Sequence, residues 1–212
     1  MSLFSRLAEK SWQTPGSERF SDPVEYRPAA STVGVYAYFG VATVIFTLIA
    51  AAYLVRMGMQ HGMGHGGGGD WQPMPEPPLL WINTGVLVAS SLAWESARRS
   101  ARRGAREPMR LMTLAGGVLG LAFLVGQLLL WRQYQAGGYF LAANPANAFF
   151  YLLTAIHGLH LAGGIFACVR NIGQISGQTD SARVSRNVRL CAIYWHFLLL
   201  VWLLLVVLLI ST

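Results

Sequence analysis

Five apolar runs, each about as long as the hydrocarbon core of a bilayer is thick, constrain this chain more than any other feature. They cover residues 33–55, 79–97, 109–134, 146–170 and 188–210, and about 20 apolar residues in helical form cross that core. Backbone N–H and C=O groups in lipid must be satisfied inside their own segment, so runs of this kind form helices. The composition agrees: 54% of the 212 residues are hydrophobic and only 12% charged, against about 25% charged in a typical soluble domain. The expected fold is all-α: a polytopic membrane protein built as a bundle of five transmembrane helices over residues 31–212. A polar tail, residues 1–30, precedes it. The tail lacks an apolar core followed by a cleavage site, so no cleavable signal peptide is expected.

The net charge of +7 raises the question of nucleic acid, and its distribution answers it. The tail carries Arg6, Lys10, Arg19 and Arg27, the second connection Arg98, Arg99, Arg102, Arg103, Arg106 and Arg110, and the fourth Arg170, Arg183, Arg186 and Arg189. The first and third connections carry one each, Arg56 and Arg132. Fourteen cations against two fall on alternate sides, so the positive-inside rule predicts a cytosolic N-terminus and a periplasmic C-terminus. Topology and anionic headgroups account for the charge, and no nucleic-acid partner is expected. Cys168 and Cys191 have no metal or redox spacing and are expected as reduced, packed thiols.

The fourth run, FFYLLTAIHGLHLAGG over residues 149–164, places two imidazoles in the middle of a membrane segment. Polar rings at that depth need partners inside the bundle. His157 and His160 are three residues apart and share a face with Thr154 and Gly164. The residues expected to meet that stripe are Tyr194, Trp195 and His196, at the head of the last run. The favoured reading is a buried, hydrogen-bonded cluster that joins helices. The alternative is a haem or metal site, since imidazole ligates both. Two histidines one turn apart cannot both be axial to one haem, whereas His160 with His196 can.

Other candidates are weaker. Met57, Met59, His61, Met63 and His65 form a soft-ligand tract of the kind that handles copper; the plain alternative is a Gly-rich solvent loop, assigned to residues 56–78. Weak Cu(I) binding is the hypothesis, and a titration unchanged in a His61→Ala/His65→Ala variant would remove it. Glu95 is the one acid within any run, three and four residues before Arg98 and Arg99, the right spacing for ion pairs. With Arg102 and Arg103 these residues are expected at the interface or on lipid headgroups. No run carries a central carboxylate, so a proton relay through this chain alone is not expected. No Ser/His/Asp set, P-loop or CxxC pattern occurs. Gly116 and Gly120, four apart, are expected to let helices approach closely.

These residues carry a family resemblance. YLLTAIHGLHLAGG resembles the TGFHGLHV-type motif of subunit III of the haem–copper oxidases (cytochrome c oxidase subunit III), and YWHFLLLVWLLLVVLL is similar to that family's YWHFVDVVWLFLF-type ending. Leu80-Trp81-Ile82-Asn83-Thr84 with Ser90-Ser91 resembles its LNT…SS helix. Gln127 and Trp131 after Phe123-Leu124 resemble its AFLxxQxxEW helix, and Ala51-Ala52-Tyr53 its AAY helix end. The matches follow the family's order from Val33 to about Val207, and the chain looks like the five-helix bacterial form. It departs from the pattern where the family carries acids: Ala42 stands at the glutamate of SEV, Leu199 at the aspartate of HFVDVVW and Leu130 at the glutamate of QxxEW. Roles attributed to those acids do not carry over.

The resemblance implies an accessory subunit with no catalytic or cofactor-binding residues of its own. It would join subunits I and II, which hold the haems and copper, in a hetero-oligomer of the bacterial inner membrane. There it would support assembly and proton uptake and bind phospholipid. The expected enzyme is a proton-pumping cytochrome c oxidase. Alternatives are subunit III of a quinol oxidase, an accessory of a nitric oxide reductase, a copper-handling membrane protein or a b-type cytochrome.

Overall fold

The computed structural model describes residues 30–62, 75–175 and 181–211, with side chains over 30–59, 75–169 and 183–211. The chain divides into a unit of residues 1–34 and a unit of residues 35–212. Of the first only the opening turn of a helix is described, so the packing below is that of the second. The polar tail, Met63 and His65, and the side chain of His61 lie outside the described residues.

Among the described residues five helices follow in order: α1 Ala30–Gly62, α2 Pro78–Arg102, α3 Arg106–Ala136, α4 Pro145–Ile175 and α5 Ser181–Ile210. There is no strand among the described residues, and the chain is an all-α polytopic membrane protein. Each helix overruns its apolar run, because backbone hydrogen bonding continues until a local signal stops it. One consequence corrects the expected first loop: α1 runs on to Gly62, so Met57, Met59 and the backbone of His61 belong to its last turns. Pro78 opens α2, where its missing N–H is no loss. Asn144 opens α4 by accepting the Ala146 N–H at 2.9 Å, as an N-cap does. Gly104, at φ 71°, ends the turn after α2, and the Ala105 N–H returns to the Ser100 carbonyl at 3.0 Å.

Among the described residues four of these helices are long and apolar enough to cross a membrane by composition alone; α2 is the exception. Its 25 residues reach about 37 Å at 1.5 Å per residue, so length is not what it lacks. Its polarity is turned inward: Asn83, Thr84, Ser90 and Ser91 are all buried. The helix with the least apolar sequence therefore hides its polar side against its neighbours, packing on α3 and α5. The core lies among α2, α3, α4 and α5, around Trp94, Phe123, Leu130, Trp195, Leu198 and Trp202.

The helix α1 reaches α4 and α5 through aromatic side chains. Phe39 stacks on Phe197 with centroids 4.4 Å apart, Phe46 meets His160 at 5.3 Å, and Tyr53 meets Phe149 at 5.5 Å. Outward, Val41, Leu48, Leu121, Phe166, Leu200 and Val207 are exposed. A surface this apolar is a liability in water and is at home against acyl chains.

Gly116 and Gly120 are buried, and what they admit is indole rather than another backbone. A Cβ on Gly116 would lie 2.7 Å from Trp94 Nε1, and one on Gly120 2.7 Å from Trp195 Cζ2. The small residues of α3 are sockets for two tryptophans, one from α2 and one from α5.

Candidate functional site

On α4, Thr154 donates to the Phe150 carbonyl at 2.7 Å and accepts from Trp131 Nε1 of α3 at 3.1 Å. One turn on, His157 is fully buried. Its ring is enclosed by Trp202 at 5.1 Å, Phe123 at 5.8 Å and Phe46 at 6.4 Å between centroids. Neither of its nitrogens has a hydrogen-bond partner among the described residues. His160 uses Nδ1 on the Ile156 carbonyl at 2.7 Å and turns its ring toward Tyr38 and Phe46 of α1.

The three residues at the head of the last run separate. Tyr194 meets the α4 stripe: its hydroxyl donates to the His160 carbonyl at 2.7 Å, and its ring fills the space where a Cβ on Gly164 would be. Trp195 and His196 do not meet it. Trp195, fully buried, donates Nε1 to Ser90 Oγ of α2 at 2.7 Å, and Ser90 donates onward to the Gly116 carbonyl of α3 at 2.7 Å. Its ring leans on Trp94 with centroids 5.1 Å apart. His196 pairs Nδ1 with Ser91 Oγ at 2.6 Å and holds Nε2 3.4 Å from Glu95 Oε2. The expectation that all three close on the α4 histidines is corrected by helical geometry, since successive residues are turned by about 100°.

Glu95 forms the outer end of that second constellation. Arg98 Nε lies 2.8 Å from Oε2 and Arg99 Nε 3.1 Å from Oε1. The carboxylate therefore joins its own helix to the His196 ring of α5. Arg102 is in the last turn of α2, and Arg103 is its C-cap. The axial haem pair His160/His196 does not form: one ring turns to α1, the other to α2. Among the described residues no three His, Cys, Asp or Glu side chains come together as a metal site would require. Of the copper tract only Met57 and Met59 have described side chains. The sulfurs of Cys168 on α4 and Cys191 on α5 lie 3.0 Å apart in the core.

Sequence reasoning gave no weight to Trp94 and Trp202 as site residues. Trp202 Nε1 donates to Thr84 Oγ1 at 3.0 Å, and Asn83 Nδ2 donates to Gln127 Oε1 at 3.3 Å. The signal was present: Asn83, Thr84, Ser90, Ser91 and Trp94 recur on α2 at helical spacing. Every helix-to-helix bond of α2 named above leaves from that stripe, save that of Glu95 with His196.

The family model described as cytochrome c oxidase subunit III matches residues 33–211, which include all of these bonds. The chain belongs to the haem–copper oxidase subunit III family. It is 26% identical over 179 residues to a Mycobacterium tuberculosis protein named "Probable cytochrome c oxidase subunit 3", covering 83% of this chain and 85% of that one. It is 26% identical over 206 residues to the cytochrome c oxidase subunit 3 of Thermostichus vulcanus, covering 93% and 94%. The cytochrome bo(3) ubiquinol oxidase subunit 3 of Pseudomonas aeruginosa is 26% identical over 169 residues, covering 80% and 78%. At the positions where the resemblance sets family acids, this subunit III has Ala42 at 1% exposure and Leu130 at 0%. Both are packed as bundle core.

Proposed function

We propose that this subunit III is the accessory, cofactor-free member of a bacterial oxidase that reduces oxygen with electrons from cytochrome c. The observation that carries this reading is the engagement of the motif residues. Thr154, Tyr194 and Trp195 each hydrogen-bond a neighbouring helix, so the HGLH and YWHF segments act as joints between helices. Haems and copper belong, on this reading, to subunits I and II of the same hetero-oligomer in the inner membrane. The distribution of Lys and Arg supports an N-terminus in the cytosol and a C-terminus in the periplasm. Glu95, Arg98, Arg99, Arg102 and Arg103 then stand at the cytosolic interface, where they can hold headgroups and shape the field around proton uptake.

Deletion of the gene for this chain tests the accessory role. The oxidase should keep its haem spectrum and its initial rate, while turnover becomes short-lived under continuous assay. Loss of a haem signal would contradict it. A second reading, subunit III of a quinol oxidase, is favoured by one observation: a ubiquinol oxidase subunit matches at the same 26% identity. A partner subunit with a CuA-type ligand set selects the first reading, and its absence selects the second.

A further inference from the structure

The chain has two cysteines, and the fold brings them together. Cys168 of α4 donates its S–H to Cys191 Sγ of α5 at 3.0 Å, across 23 residues of sequence. Both are thiols, buried at 4% and 9% exposure. Gly164 lies one turn before Cys168 and Tyr194 one turn after Cys191, so the sulfur pair continues the seam in which the Tyr194 ring fills the Gly164 socket. The Tyr194 hydroxyl on the His160 carbonyl fixes the register that holds the two sulfurs face to face.

Cys168 also forms part of the wall of an apolar groove on the bundle surface, together with Trp94, Leu114, Gly117, Leu121 and Ile165. One sulfur is thus reached from the surface, and the other lies one contact beyond it. The groove has a volume of about 210 Å³. A water molecule takes about 30 Å³, so the space beside Cys168 admits a small organic group such as a phenyl ring.

The spacing of the sulfurs selects what they can hold jointly. Two bonds of about 2.3 Å at the tetrahedral angle of zinc keep sulfurs about 3.8 Å apart, and a linear two-coordinate ion spreads them wider. Zinc also needs two further ligands, and no third His, Cys, Asp or Glu joins the pair among the described residues. Bonds of similar length that meet near a right angle, as at pyramidal trivalent arsenic, bring the sulfurs to about 3.2 Å. That is close to the 3.0 Å found between Cys168 and Cys191.

We propose that Cys168 and Cys191 form a chelating dithiol for trivalent arsenicals that carry one organic group, with that group seated in the groove. In the reaction the As=O bond breaks and two As–S bonds form, while both thiol protons leave on the oxygen as water. Arsenic stays trivalent, so no oxidant or reductant takes part. No charge is left in the apolar wall, where it would be costly. Because the seam already aligns the sulfurs, the second As–S bond closes within one molecule. The adduct ties α4 to α5 beside the Tyr194 joint, whichever donor feeds the oxidase.

The test uses the full chain, affinity-tagged and extracted in mild detergent with the subunits that accompany it. The sample is reduced, treated with phenylarsine oxide and freed of excess reagent. The intact mass of this chain should show one phenylarsenic group, and alkylation should then find neither thiol. Cys168→Ser and Cys191→Ser should each weaken retention by about 100-fold or more, since the intramolecular second bond is lost. On the parent chain, 2,3-dimercaptopropanol should strip the adduct and an equal concentration of mercaptoethanol should not. Gly117→Leu, whose Cβ meets nothing within 4 Å and whose side chain would occupy the groove, should weaken retention of the phenyl compound. No adduct on the parent chain overturns the proposal. So does an adduct that either serine variant keeps, or that mercaptoethanol removes as readily as the dithiol. Retention unchanged by Gly117→Leu overturns the seat in the groove.

Discussion

Truncating Trp195 to alanine should lower the stability of the bundle by about 3–5 kcal/mol, the cost of deleting a large buried aromatic side chain. The ring is fully buried, leans on Trp94 and fills the socket of Gly120. Removing it leaves a cavity where α2, α3 and α5 meet. It also takes the donor away from Ser90. A Trp195→Phe variant separates the two contributions. It keeps a phenyl ring but loses the N–H together with the far part of the indole, so its cost should fall to about 1–3 kcal/mol, that of one hydrogen bond and a small cavity. Thermal unfolding of the detergent-solubilised chain reads both. If alanine and phenylalanine melt alike and close to the parent, Trp195 is not the joint described here.

Placing leucine at Gly164 should cost about 1–3 kcal/mol through overpacking, because its Cβ would enter the space held by the Tyr194 ring. The ring would have to leave, and with it the hydroxyl that donates to the His160 carbonyl across the α4–α5 contact. The decisive variant is the double one. In a Tyr194→Ala background the socket is empty, so Gly164→Leu should cost much less than it does alone, a non-additivity expected only between residues in contact. Equal costs of Gly164→Leu in the two backgrounds, read by the same melting assay, would contradict the socket.

Much of this architecture is written in the apolar runs, because a bilayer of fixed thickness imposes a minimum helix length that composition reports directly. The ends were not legible for the same reason. Apolarity measures the lipid-facing length, whereas α1 keeps its hydrogen bonds out to Gly62 and α5 begins at Ser181, seven residues before its apolar run. The pairing of Glu95 with Arg98 and Arg99 follows from spacing, and both pairs are present. What spacing along α2 could not reveal is that His196, a hundred residues later, completes the same constellation. The sockets were half legible. Gly116 and Gly120 stood out as small residues on one face, yet nothing local says that the groove receives Trp94 and Trp195.

The polar stripe of α2 carries the clearest lesson. Asn83, Thr84, Ser90 and Ser91 lower the hydropathy of that helix until composition alone no longer marks it as a span. Those residues are what bind it to α3 and α5. In lipid, polar groups draw helices together through hydrogen bonds and close packing, so the least apolar helix is bound to both α3 and α5. His157 is the one motif residue whose chemistry stays within its own ring contacts. Three aromatic neighbours enclose it, and no described group meets either nitrogen.

The central claim, that these imidazoles and indoles join helices and carry no electrons, is open to one direct measurement. The tagged chain is captured from membranes in mild detergent, and its reduced-minus-oxidised visible spectrum is recorded before and after it is stripped from its companions. The account predicts that haem-bearing subunits come down with it and that all of the absorbance stays with them. A stripped, single polypeptide with reversible visible absorbance of its own would contradict it.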